Sequence, residues 1–295
     1  MKKIKKFFKT FYKAWNILSD NEPLILCSST SYFALFAVPA ILVIIISILG
    51  VIYEPAIISG ELFSQLEEVL GAETSEQLEE VIVNMREMDP NWKITTFSIA
   101  IFLISSTTLF TVMQKSINRI WEIKPKPQSN ILNMLKNRLF ALVVIFAGGI
   151  LAIASVLSEI VVSFLSSFVD SILGIGIIVF ELMSRVVSLL IFTLWFALAF
   201  KLLPDAKVKW KHVWIGAFLT SILFLVGMIV LQMLFLGRLD DWWGGVSSFV
   251  FILIFIFYTS WLVYYGAAFT RAFIESKGKK IEPESYARVF EIKEV

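Results

Sequence analysis

The sequence predicts an all-α integral membrane protein with six transmembrane helices, an interfacial N-terminal helix and an extracytoplasmic acidic helical hairpin. Three observations predict it. The chain of 295 residues is 58% hydrophobic and only 17% charged, with a mean hydropathy of +0.80. Soluble domains carry about 25% charged residues, and a core of this size cannot hide so much apolar surface. The apolar residues gather into runs that can cross a bilayer core of about 30 Å, which takes roughly 20 residues as a helix. The charges between those runs alternate in sign.

The first element, residues 2–18, sets Lys2, Lys3, Lys5, Lys6, Lys9 and Lys13 among Phe7, Phe8, Phe11, Tyr12 and Trp15. That is the make-up of an amphipathic helix lying in the interface plane. It lacks the small-residue cleavage site of a signal peptide and is expected to be retained. Span one, about 24–52, carries Pro39 in its middle. A mid-span proline removes a backbone donor and frees the carbonyl of Leu35, which makes Pro39 the hinge candidate.

Segment 54–92 holds ten acidic residues against Arg86 alone. It reads as a helical hairpin, with Leu62, Phe63, Leu66, Val69 and Leu70 on one apolar face and Gly71 as the stop. Thr74 with Gln77 fits a capping box for the second helix, whose apolar face is Leu78, Val81, Ile82, Met85 and Met88. This surface suits an extracytoplasmic protein partner. Span two, about 94–113, runs on into MQKSINRIWEIKPKP, where Pro125 and Pro127 are the expected helix stop. The remaining spans lie at about 139–165, 177–200, 213–236 and 246–270, followed by a tail over 271–295.

Orientation follows from the basic residues, which favour the cytoplasmic side. Loop 114–138 carries Lys115, Arg119, Lys124, Lys126, Lys136 and Arg138 against Glu122, and loop 201–212 carries Lys201, Lys207, Lys209 and Lys211 against Asp205. With the basic N-terminus and the acidic 54–92, this places both termini in the cytoplasm of a multi-pass protein of the bacterial cytoplasmic (inner) membrane. The basic helix after span two is then a headgroup anchor, and no nucleic-acid partner is expected, since Trp121 alone offers a base a stacking surface.

Three stretches together resemble the YihY family, also labelled virulence factor BrkB or ribonuclease BN-like. They are SYFALFAVPAILVII at 31–45, MQKSINRIWEIKPKP at 113–127, and LAFKLLPDAKVKWKHVWIGA at 198–217 with WWGGVSSFVFILIFIFYTSWLVYYGAAFTRAF at 242–273. The resemblance covers nearly the whole chain. It implies six spans with cytoplasmic termini, and export of lipid or lipopolysaccharide precursors as the activity. Where family members commonly have Gly-Ala-Glu near the end of the last span, this chain has Gly266-Ala267-Ala268. No role tied to that glutamate carries over.

The ribonuclease label finds no chemistry in these residues. Metal-assisted hydrolysis needs clustered His, Asp or Glu, and metal-free cleavage a placed acid and base. His212 is the one histidine and Cys27 the one cysteine. The neighbourhood KVKWKHVW reads as an interfacial anchor. No enzyme activity, no metal and no cofactor are expected.

Ionisable groups inside spans are functional candidates by default. Here they are Glu159, Glu181 and Arg185 in the outer half, where Gln232, Arg238, Asp240 and Asp241 would extend a polar pocket. In the inner half stand Ser31 and Tyr32, near the cytoplasmic end of span one, and the candidate stripe Thr107, Thr111, Gln114 and Asn118 of span two, with Lys115, Arg119 and Lys124 as a basic cytoplasmic mouth. Two readings share these residues. One is a transporter or flippase-like exporter of a lipid-like or amphipathic anionic substrate, with membrane lipids as partners. The other is a non-transporting membrane scaffold, in which hydroxyl residues only glue helices together.

Overall fold

The computed structural model describes residues 2–49, 72–86, 108–126, 176–235 and 247–290, with isolated positions at 67 and within 143–151. The described helices are α1 (Lys2–Ser19), α2 (Pro23–Leu49), α3 (Ala72–Arg86), α4 (108–120), α5 (Gly176–Leu202), α6 (Trp210–Phe235) and α7 (Ser247–Ser276). Four short strands accompany them: β1 (Ile123–Pro125), β2 (Ala206–Lys207), β3 (Glu282–Pro283) and β4 (Ala287–Val289). Among the described residues, three stretches are long and apolar enough to cross a membrane: Leu182–Leu202, Trp210–Leu231 and Val250–Ser276. These fall on the expected fourth, fifth and sixth spans. The expected spans at 94–113 and 139–165 lie mostly outside the described residues. So do most of the first helix of the expected acidic hairpin and Asp240 and Asp241.

Helix α7 is the hub, packing against α1, α2, α3 and α6. Its Tyr264, Ala267 and Ala268 are fully buried. Small side chains let neighbouring backbones come close where lipid supplies no hydrophobic drive. The α6–α7 crossing shows this reciprocally. A Cβ added at Gly216 would meet Thr270 Oγ1 at 1.9 Å, and one added at Gly266 would meet Thr220 Oγ1 at 1.8 Å. Each threonine in turn donates to the glycine carbonyl one turn before it, Thr220 to Gly216 O at 2.8 Å and Thr270 to Gly266 O at 2.9 Å. Further along, Gly227 lies under Tyr258. Aromatic rings fill the α5–α6 contact, with Phe196 and Phe224 at 5.8 Å between centroids.

The fold adds to or corrects three expectations. The first concerns α1, the expected amphipathic helix, which also packs on the bundle. Its buried stripe of Thr10, Ala14 and Leu18 seats it on α7, with Phe11 against Phe269 and Trp15 against Trp261. Phe8, Tyr12 and Trp15 remain as the exposed aromatic face. The second is the helix stop after span two. Helix α4 ends at 120, before either proline, because Glu122 takes a left-handed φ of 57°. Arg271 Nη1 then donates to the carbonyl of Ile120 at 2.7 Å, satisfying one of the orphan acceptors of the last turn. The third is the N-terminus of α3, which begins at Ala72 and places Thr74 inside the first turn rather than at the cap.

The tail beyond α7 is not a loose extension. Strand β3 pairs antiparallel with β2, Lys207 opposite Glu282, and β4 pairs antiparallel with β1, Lys124 opposite Arg288. Two loops far apart in sequence are thereby clasped by one short segment. Strands of two or three residues have almost no intrinsic stability, so other contacts must hold them.

Candidate functional site

Those contacts converge on Asp205. Helix α5 ends at Leu202, and the turn through Leu203, Pro204 and Asp205 leads into β2. Asp205 is only 1% exposed. A buried carboxylate is tolerable only when its oxygens accept hydrogen bonds. Gln114 and Asn118, four residues apart on one face of α4, supply them. Gln114 Nε2 donates to Asp205 Oδ1 at 3.1 Å, and Asn118 Nδ2 donates to Oδ2 at 2.8 Å. Asn118 also accepts, through its Oδ1, from the Asp205 backbone N–H at 2.9 Å. From the tail, the Tyr286 hydroxyl donates to Oδ1 at 2.9 Å, and the Glu284 N–H donates to the Asp205 carbonyl at 3.0 Å. Burial first, and then the Asp205 charge, pushes the Tyr286 phenol well above its ordinary range. It stays a neutral donor at any physiological pH.

A second junction lies beside the first. Arg271, near the end of α7, reaches Glu122 at 2.8 Å and Glu275 at 2.9 Å, and Glu275 also pairs with Lys13 of α1 at 2.7 Å. The Trp121 indole donates to Ala267 O at 2.9 Å. The end of α4 is thus tied to α7 by an indole, a guanidinium and a carboxylate. Backbone bonds complete the clasp: Phe290 N–H to Glu122 O at 3.0 Å and Lys126 N–H to Tyr286 O at 2.9 Å.

A family model described as virulence factor BrkB matches residues 17–289. The chain belongs to the virulence factor BrkB family. The BrkB match runs from the last turn of α1 to the end of β4, so it takes in both junctions and the clasping tail. A UPF0761 membrane protein of Idiomarina loihiensis is 25% identical over 228 residues, 76% of this chain and 75% of the relative. No solved structure matches. Together with the apolar helices, these likenesses make the chain a membrane protein of the BrkB family.

In this BrkB protein the remaining candidate residues fall into three groups. Some are engaged: Ser31 is buried and donates to Cys27 O at 2.9 Å, and Arg119 pairs with Glu22. Thr111 is half-buried on α4. Others are exposed: Lys115, Lys124, Arg185, and Tyr32, whose ring meets Phe33 and Phe36. Thr107, Glu159, Arg238, Asp240 and Asp241 lie outside the described residues, as do the side chains of Pro39, Glu181 and Gln232, although α2 and α5 run through Pro39 and Glu181. Among the described residues, no three His, Cys, Asp or Glu side chains stand together as a metal site would require.

Sequence reasoning missed Asp205, Tyr286, Tyr264 and Arg271. Tyr264 is fully buried, and its hydroxyl bonds both Thr30 of α2 and Ser116 of α4. A signal was present for Asp205, which is the lone acid in a basic loop opposite two amides on a helix face.

Proposed function

We propose that this BrkB-family protein is a flippase-like transporter that moves a lipid-like or amphipathic anionic molecule across the bacterial cytoplasmic membrane. It does so with six spans and both termini in the cytoplasm. The observation that carries the reading is the Asp205 junction. Helix α4, the α5–α6 connection and the tail meet at one buried carboxylate, at the basic end of the stripe formed by Thr111, Gln114 and Asn118. Alternating access requires a closure that holds one end shut and can be released. A junction of a few hydrogen bonds joining three separate segments has that character. The engaged stripe residues then describe a state closed at the basic end.

The scaffold reading is favoured by the same network taken as permanent packing. Transport separates the two. In liposomes, the protein should speed the appearance of labelled anionic lipid in the opposite leaflet. Tyr286→Phe removes one donor from the junction and should alter that rate. It should also raise thiol labelling of a cysteine at Thr111 in a Cys27→Ser background. Rates equal to protein-free liposomes for several anionic lipids, with Thr111→Cys unlabelled in both forms, would favour the scaffold. Topology has its own check: reporters fused at 75 and 128 should land outside and inside respectively. Finding both on one side would remove the six-span arrangement.

A further inference from the structure

The start of α6 and the end of α7 build a feature that the transport reading does not use. Pairing of β2 with β3 sets Lys207 opposite Glu282, which carries the segment after α7 alongside the segment before α6. Lys209, Lys211, Lys277 and Lys279 are all exposed there. Lys277 Nζ sits 4.3 Å from the centroid of the Phe273 ring, and the edge of that ring meets His212 at 6.2 Å between centroids. His212 itself is 4% exposed, and its Nε2 is buried with no hydrogen-bond partner. Lys209 and Lys211 at the N-terminus of a 26-residue helix, with Lys277 and Lys279 brought alongside through the Phe273–His212 contact, favour an anion.

The surface next to the lysines selects which anion. Trp214, Phe218, Ile222 and Val226 recur every four residues along α6, and all are exposed, from 37% to 54%. This apolar stripe starts one turn from the lysines and runs toward the middle of the helix. A phospholipid whose headgroup sits on the lysines would lay an acyl chain along this stripe, a contact that a soluble anion cannot make. We propose that this corner of the bundle binds an anionic phospholipid, its phosphate headgroup on Lys209, Lys211, Lys277 and Lys279 and an acyl chain along the exposed stripe of α6. The site is separate from the Asp205 junction and does not depend on the transport reading.

The test uses the full chain in a mild detergent, with the thermal unfolding midpoint followed as lipid is added. Phosphatidylglycerol should raise the midpoint at concentrations where phosphatidylcholine and inorganic phosphate do not. Lys209→Gln/Lys211→Gln/Lys277→Gln/Lys279→Gln removes charge from exposed positions. It should weaken the phosphatidylglycerol response by about a hundredfold or more, since each basic residue near an anionic headgroup contributes roughly fivefold. Lys9→Gln/Lys13→Gln, also at basic exposed positions but on α1, should leave the response unchanged. His212→Phe fills the imidazole's volume without its nitrogen and should weaken the response by less. An equal response to phosphatidylcholine would reduce the site to an apolar surface. A full response to inorganic phosphate would assign it to a soluble anion. Equal losses in the two lysine variants would reduce it to diffuse charge. Each of these outcomes overturns the proposal.

Discussion

Asp205→Ala is expected to destabilise the protein by about 3–5 kcal/mol, since each buried donor left without an acceptor costs about 1–3 kcal/mol. Three side-chain donors lose their acceptor together: Gln114 Nε2, Asn118 Nδ2 and the Tyr286 hydroxyl. Tyr286→Phe removes one of those bonds and no acceptor, and should cost about 1 kcal/mol. Asp205→Asn falls between, because its amide must turn a donor toward either Asn118 or the Gln114–Tyr286 pair. Thermal unfolding in detergent checks the order. Limited proteolysis supplies a local reading, with cleavage within 279–290 expected to rise in Asp205→Ala before the helices melt. A smaller loss for Asp205→Ala than for Tyr286→Phe would show that the carboxylate is not the keystone.

The α6–α7 crossing should be equally intolerant. Gly266→Ala puts a methyl 1.8 Å from Thr220 Oγ1 and 3.1 Å from Phe200 Cζ, and Gly216→Ala puts one 1.9 Å from Thr270 Oγ1. Threonine is short and β-branched, so its oxygen can leave only by breaking its bond to the carbonyl one turn earlier in its own helix or by the helices separating. Either substitution should cost about 1–3 kcal/mol, the usual range for overpacking. The diagnostic is coupling. Gly266→Ala combined with Thr220→Ala removes the clashing oxygen and should be milder than the sum of the two single variants. Strict additivity of the two changes would mean that the helices do not cross at these residues.

The helices of this fold are legible because a bilayer imposes one requirement on every spanning segment, and hydropathy reads it directly. Helices α5, α6 and α7 begin and end within a few residues of the expected 177–200, 213–236 and 246–270, except that α7 continues to Ser276. Arg271 and Glu275, on that extra turn, form the ion pairs that hold α1 and α4. A hydropathy window stops where charge begins, so it cut off the turn that does the joining. The junction was hidden for a different reason. Asp205 is 87 residues from Asn118 and 81 from Tyr286, and no periodic pattern links positions so far apart. Strands of two or three residues likewise leave no alternation to read. What the sequence did contain was the pairing of Gln114 with Asn118 on one helical face, a polar stripe whose partner could not be named.

The order of synthesis gives the clasp a further meaning. The loops bearing β1 and β2 emerge early, with α4 and α5, whereas β3 and β4 follow α7. Until the last described span has been inserted, neither loop has a strand to pair with, and Asp205 lacks its phenol. Pairing of the two loops with the tail is therefore a late event in biogenesis, and it can happen only once α7 has been made. A ribosome stalled within α7 would leave both loops without the strands they pair with. The tail thus joins its partners only when all the helices it ties together exist.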